Sequence, residues 1–216
     1  MAYPLFSKEE SLQIKNAVVE AEKLSAGEIV PVISRQASWY EQSLWRAGAL
    51  FSLITGMVLT IIYLSSESLL WLPPYLWLLI CTTGGIAGAT LAESLSVVKR
   101  FFISNKTMQQ AVENKARQLF VEQGVSHTEQ RSGILLFVSY FEKQAVILPD
   151  LGISELVEQK EWENVLQKMI NTIRSGHTTQ AICDAIKECG ALLEASGIQK
   201  AIDDQNQLPD EVQIDD

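Results

Sequence analysis

Two long uncharged runs stand almost back to back in this chain. Ala47–Tyr63 (AGALFSLITGMVLTIIY) and Leu69–Ala92 are separated only by Leu64-Ser65-Ser66-Glu67-Ser68. A helix needs about 20 predominantly apolar residues to cross the hydrocarbon core of a bilayer. Each run meets that length, the first with help from Leu44 and Trp45 on one side and Leu64 on the other. A soluble core has no use for two such runs in succession. The reading is a transmembrane helical hairpin over residues 44–93, with the lipid bilayer as its partner.

Charge placement orients the hairpin. Lys8, Lys15, Lys23, Arg35 and Arg46 precede it, Lys99, Arg100 and Lys106 follow it, and the connecting loop has no base. By the positive-inside rule both flanks stay cytoplasmic and the loop faces outward. The expected location is a bacterial inner membrane, multi-pass, with cytoplasmic N- and C-termini. Met1–Glu10 is too short of apolar residues to read as a cleavable leader. The net charge of −9, from 17 basic and 26 acidic residues, argues against nucleic acid as a partner, because such binding depends on neutralising phosphates. Cys81 lies in the second run, while Cys183 and Cys189 lie on one predicted helix too far apart to pair. With neither a disulfide framework nor a CxxC motif, a reducing compartment is the simplest reading.

Local signals place the other elements. Ser7-Lys8-Glu9-Glu10 is a capping box opening a helix to about Leu24, with Ile14, Ala17, Val18 and Ala21 on one face and Gly27 at the reversal beyond it. Glu28–Ser34 (EIVPVIS) reads as a strand, placed at an edge or bulged because Pro31 lacks a ladder donor. Tyr40 and Trp45 suit a membrane interface. Pro73-Pro74 suits the start of the second span, and Gly84, Gly85 and Gly88 form a small face for close packing within the hairpin or for a homo-oligomer through Gly84 and Gly88. Residues 94–106 form a basic juxtamembrane collar.

Thr107-Met108-Gln109-Gln110 reads as a second capping box, starting a helix to about Gln123 with Met108, Ala111, Val112, Leu119 and Phe120 inward and Gly124 closing it. Gly133–Phe141 and Ala145–Leu148 read as strands of a tight hairpin turning at Glu142-Lys143-Gln144. Trp162, Val165, Leu166, Met169, Ile170 and Ile173 mark an amphipathic helix, with Gly176 beyond it. A last helix covers about Thr178–Ala195. Beyond Lys200 there are six acids and no base, and residues 199–216 read as a disordered acidic tail.

Neither residues 1–43 nor residues 107–198 hold enough strands for a sheet. Both lie on the same membrane face, so together they form one α/β domain with the hairpin inserted. The predicted fold is an α/β/α sandwich around a small mixed sheet, interrupted by a two-helix transmembrane hairpin.

Three stretches together resemble the TPM domain family. They are Glu22–Ile33; Leu119-Phe120 through Arg131-Ser132-Gly133-Ile134-Leu135-Leu136-Phe137-Val138-Ser139, with Glu142 and Asp150-Leu151-Gly152-Ile153; and Trp162 to the Gly176 region with Asp203–Pro209. The resemblance is closest to a short bacterial subgroup whose domain is interrupted by membrane segments. It implies an α/β/α sandwich. Some relatives are described as weak phosphatases or calcium binders, and others as accessory membrane proteins.

The candidate site joins Glu28, Arg131 and Asp150, each expected at a strand end. They are the candidate catalytic residues, and Glu28 and Asp150 are the candidate ligands for Ca2+ or Mg2+, although calcium takes six to eight oxygens. The competing reading is a charge network with turn and helix capping. His127, with Glu129 near it, and His177 read as loop or capping residues. Ser132 and Ser139 lack a nucleophile elbow or a phosphate-binding loop around them. Two functions follow: a non-catalytic accessory or interaction module for a membrane complex, or a weak metal-assisted phosphatase near the membrane surface.

Overall fold

Seven residues with apolar side chains on both faces, Glu28–Ser34, form a strand (β1) that is buried throughout. In the computed structural model, which describes residues 6–23, 27–65, 73–128, 130–197, 208 and 211–215, β1 pairs in parallel with Gly133–Ser139 (β2) along its whole length. β2 pairs antiparallel with Gln144–Pro149 (β3). The other side of β1 takes Gln213–Asp215 (β4), parallel, giving the mixed order β3-β2-β1-β4.

The period-two alternation of the strands supplies two cores. Ile29, Ile33, Ile134, Leu136 and Val138 face one layer, and Val30, Val32, Leu135 and Phe137 face the other. The first core is closed by Lys8–Glu22 (α1), Ile153 of Leu151–Ser154 (α6), Gln159–Arg174 (α7) and Thr178–Ala195 (α8). The second is closed by Val112, Ala116 and Leu119 of Asn105–Glu122 (α5). Helices therefore cover both faces of a mixed sheet, as the sequence predicts. Burying a Leu, Ile, Val or Phe side chain contributes about 1.5–3 kcal/mol relative to leaving it exposed, so these two layers dominate the stability of the domain.

The local readings hold in α1, α7 and α8. Ser7 and Glu10 close the capping box reciprocally, at 2.8 and 3.2 Å, and Ile14, Ala17, Val18 and Ala21 are buried. Leu24 lies outside the described residues. Gly27 packs closely on α8: a Cβ there would fall 2.4 Å from Leu193 Cδ1, the end of a flexible side chain. Gly124 and Gly176 adopt positive φ (69° and 95°) after α5 and α7, as expected of closing glycines. At the start of α5 the cap moves: the Ser104 hydroxyl accepts from the Thr107 N–H at 3.1 Å, in the role assigned to Thr107.

Two further readings are corrected. β1 is an interior strand, not an edge. Pro31 is accommodated because β4 pairs only with Val32–Ser34, beyond the missing donor. The C-terminal segment is not disordered throughout, since Gln213–Asp215 is β4; Glu211 and Asp215 are held by lysines far away in the sequence.

The chain divides into two units, Met1–Ser38 with Gln109–Asp216 and, separately, Trp39–Met108. The second unit holds Glu41–Ser65 (α2), Pro74–Ser94 (α3) and Ser96–Phe101 (α4). Both α2 and α3 are long and apolar enough to cross a membrane. Pro73 precedes α3 and Pro74 opens it, where a missing N–H costs no helix bond. The glycine face of α3 lies against α2: a Cβ on Gly84 would fall 2.3 Å from Thr55 Oγ1, and one on Gly88 2.4 Å from Phe51 Cβ. The close packing is thus made within the hairpin. Tyr63 and Trp77 meet edge to face, with centroids 5.5 Å apart. Trp45 is exposed, as an interfacial residue would be, whereas Tyr40 is buried with φ at 49°.

Candidate functional site

The sheet ladder brings Glu28, Arg131 and Asp150 to one end. Glu28 opens β1 opposite Gly133, and its N–H donates to Ser132 O at 3.2 Å. Asp150 follows β3, and its N–H donates to Gly133 O at 2.9 Å. Arg131 stands just before β2. This is the amino end of the parallel pair, whereas ligands of open α/β sheets gather outside the carboxyl ends.

Arg131 and Asp150 are joined directly. Arg131 Nε donates to Asp150 Oδ2 at 3.2 Å and Nη2 to Oδ1 at 3.4 Å, while Oδ1 also accepts from the Leu151 N–H at 2.7 Å. Asp150 is 3% exposed and the Arg131 side chain 52%. A buried carboxylate is stable only when it is paired and hydrogen-bonded, and here it is both.

The backbone holds the pair in place. Arg131 has φ at 52°, and its carbonyl accepts from the Gly152 N–H at 3.1 Å. A Cβ on Gly152 would fall 2.5 Å from Gln130 O and 2.8 Å from Arg131 O. Thr128 secures the other side, its carbonyl accepting from the Arg131 N–H and its hydroxyl from the Ser132 N–H, both at 3.0 Å. The Arg131-Ser132-Gly133 and Asp150-Leu151-Gly152 stretches are therefore two halves of one cross-linked double loop.

The pair leaves Asp150 little capacity for Ca2+. Both Asp150 oxygens are engaged by donors, and the adjacent guanidinium opposes a second cation. Among the described residues, no group of three or more His, Cys, Asp or Glu side chains is placed to hold a metal ion. Two carboxylates fall well short of the six to eight oxygens calcium takes.

The remaining candidates lie apart. His127 is exposed on a short 3-10 turn, Val125–His127; Glu129 lies outside the described residues. His177 is exposed before α8 and does not cap it with its side chain; Ser175 Oγ lies 3.4 Å from its Nδ1. Ser132 is buried in the double loop. Ser139 is fully buried and donates to Glu142 Oε2, which closes it to substrate.

Glu142 is the residue that sequence reasoning undervalued. The sequence reads it as a turn residue, yet it is fully buried, and its Oε1 accepts from the Ala37 N–H at 3.0 Å. It ties the exit of β1 to the β2–β3 turn. The available signal was its position beside the apolar strand Gly133–Ser139, in the same stretch as Asp150.

Residues 88–192 carry a TPM domain: they match the family model of that description. Residues before α2 contribute α1 and β1 to the same compact unit as Gln109–Asp216. Among solved structures, the chain is similar to the NMR structure of the BA42 protein from the psychrophilic bacteria Bizionia argentinensis sp. nov. The TM-score is 0.61 at 17% identity, covering 100% of this chain and 99% of that one. At that identity the likeness is one of fold. No curated protein sequence matches the chain.

Proposed function

We propose that this chain is an integral membrane protein whose hairpin holds a cytoplasmic TPM domain, and that the domain serves as a non-catalytic accessory or interaction module for a membrane complex. The observation carrying the non-catalytic reading is the Arg131–Asp150 pair, whose carboxylate is engaged by its own chain. Membrane insertion is supported by exposure. Only 6% of the apolar window in α2 and 11% of that in α3 is buried, less than a soluble core helix covers, which supports insertion. The test is affinity purification from mild detergent. A stoichiometric membrane-protein partner is expected, and recovery of the chain alone under several detergents would count against the reading.

The second reading, a weak phosphatase, is favoured by the half-exposed guanidinium of Arg131. Phosphate-ester hydrolysis lost in both Asp150→Asn and Arg131→Ala would support it, and unchanged hydrolysis would end it.

A further inference from the structure

β1 is paired along all seven residues on its β2 side and, among the described residues, along three, Val32–Ser34, on the other. That second side is held by the chain's own C-terminal strand. The hold is polar and built from both layers. Lys15 Nζ on α1 meets Glu211 Oε1 at 2.9 Å, and Lys115 Nζ on α5 meets Asp215 Oδ2 at 2.8 Å. Between these acids Val212 packs against the first core, while Ile214 is half exposed. One lysine from the helix layer on each side of the sheet thus reads an acid, four residues apart, on an extended segment.

We propose that this side of β1, with Lys15 and Lys115, is a docking edge for an extended acidic segment of a partner protein, and that β4 occupies it in cis. The inference rests on the accessory reading and names the partner's chemistry: two acids four residues apart around an apolar residue. A sheet edge gives main-chain pairing to any extended segment, and flanking side chains select among them. The lysines make that selection here, favouring acids and opposing bases. The cis occupant is replaceable by construction. Among the described residues its ladder covers Gln213–Asp215, and Lys15–Glu211 is solvent-facing, with side-chain exposures of 40% and 73%.

The probe is a labelled peptide of the chain's own sequence, Leu-Pro-Asp-Glu-Val-Gln-Ile-Asp-Asp, titrated by fluorescence anisotropy in detergent. It is added to the complete chain, to the chain ending at Gln207, and to that shortened chain carrying Lys15→Glu and Lys115→Glu. Binding at least tenfold tighter to the shortened chain than to the complete one, and lost with the two lysines, is expected. Equal binding to both, or binding to neither, overturns the proposal. Should the shortened chain fail to fold, the complete chain with Glu211→Lys and Asp215→Lys takes its place under the same criteria. The two readings fail separately. Peptide binding with no partner recovered faults the accessory role, and a recovered partner with no peptide binding faults the docking edge.

Discussion

Arg131 and Asp150 stand 19 residues apart in sequence and close an ion pair in which the acid is buried and the base half exposed. The asymmetry says which partner depends on the other. Arg131→Ala leaves a buried carboxylate with the Leu151 N–H as its remaining described donor. The expected loss is about 1–3 kcal/mol, the cost of a buried group that has lost a charged partner. Urea unfolding followed by tryptophan fluorescence measures it. Asp150→Asn, which removes the charge but keeps the shape, is expected to cost less. Equal stability of Arg131→Ala and the parent would show that the pair is incidental.

The same geometry predicts indifference to divalent cations. A ligand present at 100 times its dissociation constant adds about 2.7 kcal/mol, which a melting curve registers plainly. The melting temperature of the detergent-purified chain is expected to stay constant in millimolar Ca2+ or Mg2+. A rise abolished by Asp150→Asn would restore the metal site and make the phosphatase reading the better one.

Two glycines separate rigid from yielding neighbours. A Cβ at Gly152 meets backbone carbonyls, Gln130 O and Arg131 O, whereas one at Gly27 meets the end of the Leu193 side chain. Overpacking costs about 1–3 kcal/mol and more where nothing can move. Gly152→Ala is therefore expected to cost about 3 kcal/mol and Gly27→Ala about 1 kcal/mol. Chemical denaturation of the two variants ranks them, and the reverse order would contradict the double loop.

Glu10 predicts an acid-side loss of stability. The Ser7 N–H, then the Thr179 hydroxyl and the Ser7 hydroxyl, hydrogen-bond its carboxylate and hold its pKa below the ordinary 4.5, against a smaller opposing effect of burial. A carboxyl whose pKa is lowered by folding adds stability above its unfolded pKa and loses it as pH falls through the folded value. Glu10→Gln is expected to flatten the stability curve from about pH 4.5 downward and to leave its shape above that unchanged. Melting temperatures across that range, compared with the parent, make the check.

What the sequence discloses about this fold is mostly local. The Ser7–Glu10 box, the Trp162–Ile173 stripe and the closing Gly124 and Gly176 signal themselves within a turn or two of helix. The site was legible as a set of residues, because Glu28, Arg131 and Asp150 flank recognisable strands. Its chemistry was not, since the ion pair depends on a register that places Asp150 beside Gly133. The C-terminal strand was illegible for the same reason. Glu211 and Asp215 read as solvated acids until Lys15, 196 residues from Glu211, is brought beside them with Lys115. Pro31 misled because it argues for an edge, whereas the structure needs only that the short ladder begin after it.

The central claim is that α2 and α3 span a membrane, leaving both halves of the TPM domain on its cytoplasmic side. Paired reporters measure this most directly: alkaline phosphatase, which is active only outside the cytoplasm, and a green fluorescent protein that matures inside it, each placed at Ser66 and after Asp216. The account predicts phosphatase activity at Ser66 and fluorescence after Asp216. Fluorescence at both positions, or activity after Asp216, would contradict it.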